Sequence, residues 1–158
     1  MVDETIHRGT LVNVIGTGIL IQGPSGVGKS LAAISLIRSG HRLVADDLVA
    51  VARHESFGLV GRAVEENVRI EIRGLGVFFA LSLFTDCTMI SSPINLVVEL
   101  TKYVEERDAG RLEPLITEIK MLDYPIKKIL APIPTGTDPG LLVELVARTQ
   151  INVNLEKK

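Results

Sequence analysis

Gly23-Pro24-Ser25-Gly26-Val27-Gly28-Lys29-Ser30 is the stretch on which the fold turns. It satisfies G-x-x-x-x-G-K-[ST] at every fixed position. Its glycines let the main chain fold into a concave nest whose N–H groups converge on phosphate oxygens. A helix starting at Lys29 adds the positive end of its dipole. Lys29 has the reach for the terminal phosphates, and Ser30 offers a hydroxyl suited to Mg²⁺. All eight residues are therefore assigned to phosphate binding, with ATP and Mg²⁺ as the expected cofactors. Chance would give such a match in roughly one chain of this length in a few hundred.

The flanks fit the motif. Thr10 to Ile15 and Gly18 to Gln22 are apolar runs around a Gly16-Thr17-Gly18 turn signal and read as a β-hairpin. A helix is expected from Lys29 to Ser39, with Leu31, Ile34 and Ile37 on its apolar stripe and Gly40 ending it. Arg42 to Ala45 reads as a strand running into Asp46 and Asp47. Further strands are expected at Leu48 to Arg53, Phe57 to Val60, Val68 to Ile72, Leu96 to Leu100 and Ile126 to Ile133. Lys102 to Arg111 is charged and reads as an exposed loop. Pro139 to Thr149 reads as a helix with proline in its first turn. No repeat or linker interrupts the pattern, so residues 1–158 are expected to form one α/β domain, a P-loop domain with a mixed β-sheet.

Composition narrows the class. The chain is 46% hydrophobic and 23% charged with a net charge of −2, ordinary values for a globular protein and without the positive field of a nucleic-acid binder. It has no apolar run of about 18 residues, so no membrane partner is expected. Cys87 is the only cysteine, which excludes an internal disulfide and suits a cytoplasmic location; it reads as a small apolar filler.

Carboxylates near the loop are the next candidates. Asp46 and Asp47 close the strand after the P-loop helix, where α/β folds place ligand and metal chemistry. Neighbouring strand residues point to opposite sides, so the two should not share a role. At least one is expected to serve as a metal ligand or general base. Glu71 in Ile70-Glu71-Ile72-Arg73 can complete a Mg²⁺ shell, and Arg73 can bind phosphate; a surface ion pair is the plainer alternative for these two.

Three segments in this order resemble the catalytic C-terminal domain of the HPr kinase/phosphorylase family: His7 to Ser30, Ser39 to Val49, and Glu71 to Gly76 (EIRGLG). The resemblance implies a fold akin to the phosphoenolpyruvate carboxykinase type of P-loop domain, assembled as homo-oligomers that are hexamers in that family. It implies an ATP-dependent serine kinase acting on HPr or a related phosphocarrier. It also implies roles: Lys29 for phosphate, Ser30 for Mg²⁺, Asp47 as the acid/base aspartate, Asp46 near the metal, and Glu71 as a second Mg²⁺ ligand. His7 matches a histidine near the phosphate, although Arg8 makes His-Arg-Gly where that family usually has His-Gly. Arg111 is a weaker match to an active-site arginine.

The chain departs from the family pattern at Pro24, where an acid is common. It departs again at Ile133 to Asp138, which lacks the two arginines tied to phosphorolysis, so phosphorylase activity is expected to be weak or lost. The chain begins six residues before His7, where longer members carry a further domain; it is expected to be a short form or part of a longer member. Two other functions fit the same motifs: a small-metabolite kinase, and a non-catalytic ATP-sensing module.

Overall fold

The strands around the P-loop are apolar on both sides, which a sheet tolerates only when both faces are covered. The computed structural model describes residues 3–156, with side chains as far as Gln150. In chain order its elements are β1 (Glu4–Arg8), β2 (Thr10–Val14), β3 (Thr17–Gln22), α1 (Lys29–Arg38), β4 (Arg42–Ala45), β5 (Leu48–His54), β6 (Gly58–Ala63), β7 (Arg69–Ile72) and β8 (Gly76–Phe79). There follow α2 (Ala80–Leu83), β9 (Ser91–Pro93), β10 (Leu96–Lys102), α3 (Glu105–Asp108), β11 (Leu115–Met121), β12 (Tyr124–Ile133) and α4 (Pro139–Glu156).

The central sheet has the order β11-β12-β10-β3-β2-β4. Strands β12, β10 and β3 run parallel, whereas β2 is antiparallel to both of its neighbours, so the sheet is mixed as expected. Val12, Val14, Ile19, Ile21, Val98 and Leu100 share a cluster with Ala32, Ala33 and Leu36 of α1 and Val143 and Ala147 of α4. Leu11, Leu20 and Val97 of the same strands cluster instead with Val49, Val51 and Leu59 of a second, antiparallel sheet, β1-β5-β6-β9. Each fully buried Leu or Ile contributes about 1.5–3 kcal/mol, so the two clusters hold the central sheet from both sides.

Several expectations need correction. The hairpin turn is Ile15-Gly16, with φ of 53° and 78°, and Val14 pairs directly with Thr17. Left-handed φ at both central residues matches the strand twist, and the Asn13 side chain accepts from the Gly16 N–H at 3.1 Å. In α1 the buried face is Ala32, Ala33, Leu36 and Ile37, while Leu31 is 55% exposed; small residues let the helix settle close on the sheet and α4. The segment from Lys102 to Arg111 is not a loop throughout. It contains α3, and Asp108 is buried because Arg107, Arg111 and the Val104 N–H all bond its carboxylate. Strands β1, β8, β9 and β11 were not expected; their side chains are largely exposed or the strands are very short, so they lack an apolar pattern.

Cys87 packs in the cluster beneath α1, and its thiol lies 3.3 Å from the Ala80 carbonyl. Burial pushes that thiol upward from its ordinary pKa, which keeps it protonated and inert. No helix among the described residues is long and apolar enough to cross a membrane.

Candidate active site

β3 delivers the chain to the carboxyl edge of the sheet, and the eight-residue loop begins there. Gly23 has φ of 148°, and a Cβ on it would lie 2.6 Å from the Leu100 carbonyl oxygen. Only glycine lets the loop cross the end of β10 this closely. Gly26 and Gly28 also have positive φ, 82° and 118°, and Gly28 is the N-cap of α1. Val27 N–H donates to the Pro24 carbonyl at 3.2 Å, closing the turn. Lys29 Nζ donates to the carbonyls of Gly23 (2.8 Å) and Pro24 (3.1 Å), so the ammonium is held across the start of the loop. Pro24 is exposed, and its carbonyl takes part in both contacts.

Ser30, in the first turn of α1, donates through Oγ to Asp46 Oδ2 at 3.0 Å. Thr10 Oγ1 donates to the other oxygen, Asp46 Oδ1, at 2.7 Å. Burial is the largest influence on this carboxylate and raises its pKa above the ordinary value, while the two hydroxyls pull it back down.

Asp47 faces the other way. It has φ of 71°, and the Leu48 N–H donates to the Asp46 carbonyl at 2.9 Å across it, which forms a tight γ-turn. A left-handed non-glycine residue costs of order 1–3 kcal/mol. Here the turn is held from outside by the Gly9 N–H, which donates to the Asp47 carbonyl at 2.9 Å. The Asp47 side chain is 72% exposed, and Arg8 Nη1 stands 3.4 Å from its Oδ1. The two carboxylates face apart, one turned to Ser30 and one open to solvent, but not by the alternation of a strand: β4 ends at Ala45 and the turn at Asp47 separates them.

The ribbon β7–β8 brings up the second carboxylate. Glu71 lines a groove of about 310 Å³ together with Asp46, Asp47, Leu48, Arg69 and Val77. Arg73 is not paired with Glu71; its Nη2 donates to Ser25 Oγ at 2.9 Å and so reaches the phosphate loop from the side. The Ile133 to Asp138 segment leads into this region, since Pro139, the residue after it, has its Cγ 3.3 Å from where a Gly28 Cβ would be. Asp138 is committed to structure: it accepts from Ser35 Oγ (2.6 Å) on α1 and from the Gly140 N–H (2.8 Å) at the start of α4.

Two expected site residues bond elsewhere. The His7 ring hydrogen-bonds Thr5 Oγ1 at 2.7 Å on its own strand. Arg111 Nη2 donates to Asp108 Oδ1 at 3.0 Å. Sequence reasoning passed over Thr10 and gave Arg8 no role. A threonine at the head of a mostly apolar strand was the available signal for the first. The departure from His-Gly was the signal for the second.

Among the described residues no three His, Cys, Asp or Glu side chains converge into a closed metal cage. Mg²⁺ does not ask for one, because it keeps several waters and takes one or two protein oxygens beside phosphate. A serine hydroxyl and a carboxylate 3.0 Å apart at a helix start, with Glu71 on the same groove, are the hard oxygen donors that fit it.

The comparisons with known proteins bear on the family and the fold. A HPr kinase/phosphorylase from Clostridium acetobutylicum is 40% identical over 157 residues, covering 98% of this chain and 51% of the relative. One from Geobacillus kaustophilus is 40% identical over 146 residues, covering 90% and 47%. The chain therefore spans about half the length of these curated relatives. The solved HPr(Ser) kinase/phosphatase from Coxiella burnetii superposes with a TM-score of 0.84 at 28% identity, over 97% of this chain and 93% of that one. The sequence model described as HPr Serine kinase C-terminal domain matches residues 1–157, and with this fold behind it the chain belongs to that family.

Proposed function

We propose that this chain transfers the γ-phosphoryl group of ATP to a serine of HPr or a related phosphocarrier protein. Residues 1–158 act in this reading as one catalytic domain, in the cytoplasm and as a homo-oligomer, a hexamer by the family resemblance. The observation that carries it is the acid pair split by a strained turn: Asp46 bonded to the P-loop serine, and Asp47 exposed beside it.

The N–H groups of the loop between Ser25 and Gly28 and the Lys29 ammonium hold the β- and γ-phosphates. Ser30, Asp46 and Glu71 would hold Mg²⁺, which supplies neutralising charge at the phosphate oxygens when bound. Asp47 accepts the proton of the substrate serine while the serine oxygen forms its bond to phosphorus. The bond from phosphorus to the β-phosphate oxygen breaks, and its electron pair leaves with ADP. His7 and Arg111 are assigned here only to the support of this machinery, since their bonds run to Thr5 and Asp108.

The absence of arginine from Ile133 to Asp138, next to Gly28, supports weak or absent phosphorylase activity. The test is labelling with γ-labelled ATP and Mg²⁺: HPr should be phosphorylated on serine far faster than small alcohols. Faster labelling of small alcohols would favour a metabolite kinase. Tight ATP binding without any transfer would favour a sensing module. Rapid phosphate-dependent release of phosphate from phosphorylated HPr would refute the loss of phosphorylase activity.

A further inference from the structure

We propose that Arg8 is the guanidinium that meets the transferring phosphoryl group from the acceptor side, an inference that rests on the phosphotransferase reading above. Arg8 ends β1 and pairs in register with Leu48, the residue after Asp47. The next residue, Gly9, donates its N–H to the Asp47 carbonyl, so the Arg8 backbone is fixed against the acid turn. Its side chain is 83% exposed, and among the described residues the one hydrogen bond of its guanidinium is the 3.4 Å contact to Asp47 Oδ1.

That contact is long and wet. Exposed pairs of this kind contribute about 0–1 kcal/mol, so the fork is not committed. The other positive groups of the site are engaged elsewhere: Lys29 with Gly23 and Pro24, Arg73 with Ser25, and Arg69 with Glu65 at 2.6 Å. Arg107 and Arg111 are held on buried Asp108. The segment before α4 contains no arginine. Arg8 is thus the guanidinium that stands against Asp47, the group that takes the serine proton in the phosphotransferase reading. A guanidinium this exposed, on a pair this long, is free to turn to the phosphoryl oxygens. Arginines placed this way stabilise the spread charge of phosphoryl transfer by large factors.

Mg·ADP with fluoroaluminate, a planar anion standing for the transferring group, tests the assignment without an acceptor protein. Calorimetry should show wild-type chain binding Mg·ADP and then fluoroaluminate on top of it. Arg8→Ala should keep the Mg·ADP affinity within about twofold and weaken fluoroaluminate capture by roughly a hundredfold or more. Arg8→Lys should fall between, because it keeps the charge and loses the fork. Equal capture by wild type and Arg8→Ala overturns the proposal, as does absence of capture by a wild-type chain that binds Mg·ADP. A parallel loss of Mg·ADP affinity in Arg8→Ala overturns it too, by placing the residue on the nucleotide side. A wild-type chain that fails to bind Mg·ADP removes the phosphotransferase reading itself, and this inference with it.

Discussion

Two groups of aspartates in this molecule are treated in opposite ways. Asp108 is buried and saturated: Arg107 reaches both its oxygens at 2.7 and 2.8 Å, Arg111 adds a bond at 3.0 Å, and the Val104 N–H caps it at 2.7 Å. The Arg107 hydrogen bonds lead a set of influences that hold its carboxyl down to about 2. At the Asp46–Asp47 turn the backbone is strained, one carboxylate is half-buried with two hydroxyl partners and no cation, and the other is left in solvent beside one loose arginine. A carboxylate with every lone pair satisfied by cations can only hold structure together. One kept under-neutralised, or kept free, is available to bind a cation or move a proton. Arg111, a candidate for the active site by resemblance, is one of the groups that bond Asp108.

The contrast breaks most visibly at Asp47. Asp47→Asn should lower phosphoryl transfer to HPr by roughly 10²- to 10⁴-fold, the usual worth of a positioned acid/base, while calorimetry finds Mg·ATP affinity nearly unchanged. Lys29→Ala should weaken Mg·ATP binding by roughly 10- to 100-fold, in line with the loss of one charged hydrogen bond to phosphate; untouched nucleotide affinity would remove the role given to the loop.

Stability should move in the other direction. Asp108→Asn should lower the melting temperature at neutral pH and flatten the acid limb of the stability curve. The sign follows from the depressed carboxyl: its contribution is present in full above the unfolded value near 4 and fades as pH falls toward about 2. Thermal melts from pH 2 to 7 would show it. Asp46→Asn, measured without metal, should leave the melting temperature equal or raised, because it removes a half-buried, desolvated charge and keeps the hydroxyl partners; a drop as large as that of Asp108→Asn would erase the contrast. The smallest effect is expected at Arg111→Ala, with a modest fall in melting temperature and no change in the Michaelis constant for ATP, read from melts and steady-state kinetics.

Much of the fold was legible because it is written in short range. The turn at Gly16, the stop at Gly40 and the apolar runs of β3, β4 and β10 each depend on a few consecutive residues. The strands that escaped notice, β1 and β11 above all, lie at sheet edges and show exposed side chains along most of their length, so pairing rather than burial makes them strands. The exposed-loop reading of Lys102 to Arg111 failed for a related reason. A charge-rich segment looks solvated until its own arginines fold onto its own aspartate.

By itself the sequence determined the phosphate loop, since a nest of amides, a lysine and a hydroxyl at a helix start are made within eight consecutive residues. It also placed Asp46 and Asp47 at the end of the strand that follows the helix of that loop. Tertiary structure alone decided which groups answer them. Thr10 reaches Asp46 across 36 residues, Arg8 reaches Asp47 across 39, and Arg73 reaches Ser25 across 48. Such bonds depend on the register of strands far apart in the chain and on one left-handed aspartate, and neither leaves a local trace in composition or periodicity.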